Sequence, residues 1–157
     1  MVNFLKKILI LAFLSIAFIS CDSGQVYEQN IQIPNSSWSR FYKAKFKVSI
    51  SDTLTSNNLY INIRNSGKYA FNNLFIFIKT IAPSGESIKD TVEIKLADNH
   101  GKWLGKGLGD IKFLRVPYKK NVRFPRPGTY TFEFVQGMRT DNLKDITDIG
   151  LRVEKMK

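Results

Sequence analysis

The chain has 157 residues, a formal net charge of +11, a single cysteine and a single histidine. That length suits one domain large enough to bury most of its apolar surface. One cysteine excludes an internal disulfide framework, and one imidazole leaves too few ligands for a His/Cys zinc centre.

The chain opens "MVNFLKKILILAFLSIAFISC", with Lys6 and Lys7 ahead of an apolar run from Ile8 to Ile19 interrupted only by Ser15. Twelve residues fall short of the roughly twenty needed to cross a hydrocarbon core as a helix. A basic head, a short apolar middle and a small residue, Ser20, before the cut describe a secretory signal. The "FISC" stretch resembles the lipobox of bacterial lipoproteins, with Phe18 where leucine is usual, and implies acylation at Cys21. Lipid attachment also accounts for a lone thiol in an exported protein. The expected organisation is a signal peptide at 1–20, a lipidated cysteine and polar tether at 21–37, and a β-sandwich at 38–157. Two or three acyl chains hold firmly to a bilayer, at about 0.8 kcal/mol per buried methylene.

After the tether the apolar pattern takes a period of two. In "FYKAKFKVSI", Tyr42, Ala44, Phe46, Val48 and Ile50 share one face and Lys43, Lys45 and Lys47 the other, which is a half-buried strand. "NLYINIRNSG" repeats this with Leu59, Ile61 and Ile63 inward and ends at a turn. The continuous apolar run of "NNLFIFIKTIAPSGE" suits a central strand covered on both faces, closed by Pro83 and Gly85; "DTVEIKL" alternates again. Beyond a glycine-rich stretch, "DIKFLRVPY" and "KNVRFP" read as two short strands, confined to edges or ends by Pro117 and Pro125. "GTYTFEFVQ" alternates with Tyr130, Phe132 and Phe134 inward, "TDNLKDITD" allows one or two helical turns, and "DIGLRVEK" places Ile149, Leu151 and Val153 on one face. About eight short strands and no sustained helical period describe an all-β, single-domain β-sandwich, jelly-roll or immunoglobulin-like.

The glycine stretch "DNHGKWLGKGLGDIKF" invites three readings. A phosphate loop needs four residues between its first glycine and the Gly-Lys pair, then a hydroxyl residue. Here Gly101 precedes Gly105-Lys106 by only three residues, and Gly107 stands where Ser or Thr is required. A metal site would rest on His100 with Asp98, Asn99 and Asp110, without the EF-hand spacing. The third reading is structural: a tight turn at Asp98–Gly101, with Gly105, Gly107 and Gly109 letting the backbone kink or pack closely beside a wedged Trp103.

Catalytic chemistry finds little support. No "GxSxG" is present, His100 is the only candidate base, and carboxylate pairs among Asp52, Glu86, Asp90, Glu93, Asp98 and Asp110 cannot be placed from sequence. No catalytic residue, metal or cofactor is expected. Charge is more informative: removing Lys6 and Lys7 from the +11 leaves +9 for the mature chain. Lys112, Arg115, Lys119, Lys120, Arg123 and Arg126 form a basic block with no acid from Ile111 to Thr131, a candidate partner-binding surface beside the Lys43-Lys45-Lys47 row. Outside the cytosol such a block attracts anionic lipid, acidic glycan or an acidic protein face, and nucleic acid is not expected.

Finally, "VYEQ", "NLYINIRN", "NLFIFI", "GKWLGKGLGDIKF", "NVRFPRPGTYTFEFVQGMR" and "DITDIGLRVEK", in this order from about Val26 to Glu154, resemble the gliding-motility lipoprotein GldH family of the Bacteroidetes. In that resemblance Gly101, Trp103, Gly105, Gly107, Gly109 and Asp110 form a signature loop. It implies a non-enzymatic lipoprotein of the cell envelope, required for gliding and associated with the type IX secretion machinery. Its expected partners are other envelope proteins of that machinery and, through the lipid, the membrane, most naturally the outer membrane with the domain facing the periplasm. Asp22, directly after the lipid cysteine, bears on sorting between membranes. The alternative is a carbohydrate-binding or carbohydrate-processing module for envelope polysaccharide, by analogy of fold.

Overall fold

The computed structural model describes residues 24–156; Cys21 and the leader lie outside them. The described residues form ten strands: β1 (Gln25–Gln32), β2 (Ser37–Ser39), β3 (Ala44–Ile50), β4 (Asn57–Ser66), β5 (Asn73–Ile81), β6 (Ser87–Lys95), β7 (Ile111–Val122), β8 (Gly128–Gln136), β9 (Asn142–Lys144) and β10 (Ile146–Lys155), with one 3-10 turn at Pro34–Ser36. Their pairing is nested and antiparallel: β1 with β10, β2 with β9, β3 with β8, β4 with β7 and β5 with β6. The chain is therefore one long hairpin whose tip is the turn between β5 and β6. Rolling it up sets β10 beside β4 and β8 beside β5. Two four-stranded sheets result, in the orders β1-β10-β4-β7 and β3-β8-β5-β6. Rolled in this way the sandwich is a jelly roll, not the immunoglobulin-like arrangement.

Period-two alternation explains the core. Along β3, Ala44, Phe46, Val48 and Ile50 are buried while the lysines between them face water. Leu59, Ile61 and Ile63 of β4, Tyr130, Phe132 and Phe134 of β8, and Ile149, Leu151 and Val153 of β10 join the same cluster. Each such side chain contributes about 1.5–3 kcal/mol on burial. Trp38 of β2, fully buried, donates its indole N–H to the Tyr42 carbonyl at 3.1 Å, so the small β2–β9 pair plugs one end of the core.

Four expectations need correction. The polar tether is not free up to residue 37, because β1 pairs with β10 from Gln25 onward and Val26, Tyr27 and Ile31 pack on the core. The two short strands after the glycine stretch are one, β7, since Pro117 sits on an edge strand whose other side needs no amide at that point. "TDNLKDITD" is not helical: Asp145 takes φ 68 between β9 and β10, where Ser66 fixes it through its backbone amide at 2.9 Å and its hydroxyl at 2.8 Å. Strand β5 is central, but covered on one face only; Leu74, Ile76 and Ile78 are buried while Phe77 is 51% exposed.

Candidate functional site

The glycine loop connects β6 to β7 and is built as a scaffold. Asp98 accepts from the amides of His100 and Lys102 through one carboxylate oxygen, both at 2.9 Å, and Gly101 takes φ 78 to complete the turn. Lys106 and Phe113 exchange both backbone hydrogen bonds, at 2.9 and 2.8 Å, so the loop folds back onto β7. This close approach is why glycine is required: a Cβ at Gly107 would lie 2.2 Å from the Ile111 carbonyl oxygen, and one at Gly105 3.0 Å from that of Phe113. The glycines thus serve contact with β7 rather than with Trp103. Trp103 is half-buried against the core, its ring 6.5 Å from that of Tyr69. Asp110 accepts from the Gly67 amide through both its backbone and side-chain oxygens, which ties the loop's end to the turn after β4. Leu108 at the loop tip is 99% exposed.

The basic block divides. Arg115 bonds Glu28 at 2.6 Å and Asn62 at 2.9 Å, and Lys119 bonds Asp90 at 2.7 Å, so both are spent inside the molecule. Lys112 donates to the Gly109 carbonyl at 2.8 Å. Lys120, Arg123 and Arg126 are exposed. Arg123 reaches Ser56, whose carbonyl accepts from Met156, while Lys155 donates to Gly24. Arg123 therefore lies at the end of the sandwich where Gly24 leads into β1 and β10 finishes.

The outer faces of the two sheets differ in electrostatics. On the β1-β10-β4-β7 face, buried Arg152 binds Glu28 and Glu154, Arg115 binds Glu28, and Arg64 lies 3.7 Å from Asp148. Desolvation pushes the Glu28 carboxyl up, but the bonds from Arg152 and Asn62 and the charge of Arg115 outweigh it and hold the group below its ordinary range. That face is self-neutralised. On the opposite face one row crosses all four strands, with Lys45 beside Glu133, Glu133 beside Lys79 and Lys79 beside Lys89. Glu133 is held by Lys45 at 3.0 Å and Lys43 at 3.5 Å, bonds that lower its pKa. Next to this row stands Phe77. It walls three surface depressions of about 660, 540 and 460 Å³, to which Phe71, Phe75, Val135, Met138 and Arg139 also contribute.

The sequence held a signal for this patch that the reading of β5 passed over. Among the described residues no segment sustains a helical period and no α-helix forms, so none covers the outer face of Phe75 and Phe77. The carboxylates considered for catalysis are each engaged locally: Asp52 caps Leu54 and Thr55, Asp90 holds Tyr118 and Lys119, Glu93 holds Asn73, and Asp98 and Asp110 hold the loop; Glu86 lies by Ser84 at the hairpin tip. Among the described residues no group of three or more His, Cys, Asp or Glu is placed to hold a metal ion.

The family model for the GldH lipoprotein matches residues 25–153. The chain belongs to the GldH lipoprotein family. That match spans β1 to β10 almost completely, including the glycine loop and the Phe77 face. A GldH homolog from Christiangramia forsetii, described as a gliding motility lipoprotein, is 36% identical over 156 residues, covering 95% of each chain. The gliding motility lipoprotein GldH of Flavobacterium johnsoniae is 32% identical over 153 residues, covering 93% of this chain and 94% of its own. Membership in a lipoprotein family gives this protein a lipid anchor and a place in the cell envelope.

Proposed function

We propose that this protein is a non-enzymatic, lipid-anchored component required for gliding motility, acting by protein–protein contact within the gliding and type IX secretion-associated apparatus. The family match across the whole sandwich, shared with relatives named for gliding motility, carries this reading. The anchor is Cys21, on an outer membrane, with the domain facing the periplasm.

The geometry supports a division of labour. Gly24 follows Cys21 by three positions, a reach of about 10 Å at most for a chain of that length. Lys120, Arg123 and Arg126 then face anionic headgroups, and the partner surface lies elsewhere on the sandwich. The carbohydrate reading draws on one observation, the aromatic cluster of Phe71, Phe75 and Phe77. The depressions beside it carry Lys79, Lys89 and Arg139 together with Asp90, Glu133 and Asp141, and each of those three acids is already bonded to a cation rather than left as a free pair suited to sugar hydrolysis, so a protein partner is the better fit.

The test is genetic. A deletion in the producing bacterium complemented with the wild-type chain regains single-cell gliding, and one complemented with Cys21→Ser does not. Gliding by the uncomplemented deletion would remove the proposed role.

A further inference from the structure

We infer that the outer face of the β3-β8-β5-β6 sheet is a docking surface for an extended acidic segment of a partner protein, one that carries an apolar anchor residue. This rests on the reading that the protein works through protein contacts, and it specifies the chemistry of the contact.

The first observation is charge. Lys79 and Lys89 are direct cross-strand neighbours on an open sheet face, a placement of like charges that is unfavourable on its own. The carboxylate nearest in register, Glu133, is already held by Lys45 and Lys43. Among the described residues no carboxylate lies within ion-pair distance of Lys79, Lys89 or Arg139. The opposite outer face carries arginines too, yet each of Arg64, Arg115 and Arg152 has its acid there. Of the two outer sheet faces, it is therefore this one that carries cations without a matching acid, and carboxylates from outside complete it.

The second observation is apolar surface on the same strand. Phe77, 51% exposed, and Phe71, 44% exposed, border depressions open to solvent, which Val135 and Met138 also help to line. The outward positions of β5 run Phe75, Phe77, Lys79 at every second residue. That spacing of about 6.6 Å equals the spacing of same-side residues in an extended strand. A segment laid along β5 thus places an apolar side chain on Phe77 and a carboxylate two residues away on Lys79 and Lys89. Arginine or lysine in the segment would be repelled, which supplies selectivity as well as attraction.

The test uses the full-length lipidated chain in cells of the bacterium that makes it, with a photocrosslinking residue at position 77 or, on the opposite outer face, at position 117. The expected result is a protein adduct at 77 whose crosslinked peptide is rich in Asp and Glu around an apolar residue. In the same chain carrying Lys79→Glu and Lys89→Glu, that adduct falls at least about tenfold, while the thermal midpoint of the purified variant stays at the wild-type value. An adduct to a second copy of this chain, to lipid or to polysaccharide overturns the proposal, as does an adduct that survives both charge reversals. Adducts at 117 without any at 77 sink this surface and leave the protein-contact reading standing. Absence of protein adducts at both positions, with no envelope protein co-recovered, sinks both.

Discussion

The Tyr118 hydroxyl donates to Asp90 Oδ2 at 2.5 Å, joining β7 of one sheet to β6 of the other. Lys119 meets the same oxygen at 2.7 Å, so a single carboxylate closes the side of the sandwich where the two edge strands face each other. Tyr118→Phe keeps the ring and removes the donor. The expected loss is about 1–2 kcal/mol, the range for a partly exposed hydrogen bond to a charged group. Urea denaturation with an unchanged slope checks it; an unchanged midpoint would show that Lys119 alone closes the edge.

Stability depends on pH in a direction set by lowered carboxylates, Glu28, Asp90 and Glu133 among them, and by raised phenols such as Tyr69 and Tyr118. Glu28, Asp90 and Glu133 are held below their ordinary values of 4.5, 3.8 and 4.5. Their contribution is complete above those values and is lost as pH falls through the lowered ones. Burial raises Tyr69 and Tyr118 above 10.0, with the Asp90 charge adding to the effect at Tyr118. Their contribution is complete below 10.0 and is lost as pH rises through the raised values. Urea midpoints should therefore be flat near neutrality and fall on both sides. Glu28→Gln should lower the plateau, since Arg152 loses an acid at a buried site, and it should flatten the acid limb. A variant with the wild-type plateau and acid limb would remove Glu28 from the account.

Much of this architecture was legible in the chain. The alternation of Phe46, Val48 and Ile50, of Ile61 and Ile63, and of Phe132 and Phe134 predicts inward faces, and those side chains are buried as a period of two requires. The glycine of the Asp98–Gly101 turn was equally readable, because its tolerance of the positive φ that Gly101 takes is a local property. Partnership was not. Whether Arg115 and Lys119 are free or spent depends on Glu28 and Asp90, 87 and 29 positions away in the sequence, brought close only by the rolled hairpin. Strand β1 escaped for a related reason: "QVYEQNIQ" has few apolar residues, and it is held by pairing with β10 more than by burial.

The glycine loop allows a graded comparison. Gly107→Ala forces a Cβ against the Ile111 carbonyl and should cost about 1–3 kcal/mol through displacement of the loop from β7. Gly109 has φ 68 with open space around its added Cβ, so Gly109→Ala should cost about 1 kcal/mol, from backbone strain alone. Denaturation midpoints of the two variants give the order. Equal midpoints would mean that the loop does not need its contact with β7.

Charge reversal separates the two ends of the proposed division of labour. Lys120→Glu with Arg123→Glu alters exposed side chains and should leave stability within about 0.5 kcal/mol of wild type. In a Cys21→Ser background it should weaken sedimentation with vesicles containing anionic phospholipid, and it should not affect crosslinking at position 77. Undiminished sedimentation would remove these residues from the membrane-facing role.

The central claim is attachment by fat at residue 21, and it is tested most directly by growing the native bacterium with an alkyne-tagged fatty acid and mapping the tag on the recovered protein. The account predicts a tagged N-terminal peptide beginning at Cys21, with no tag on the Cys21→Ser variant. Recovery of untagged protein that retains Met1 would contradict it.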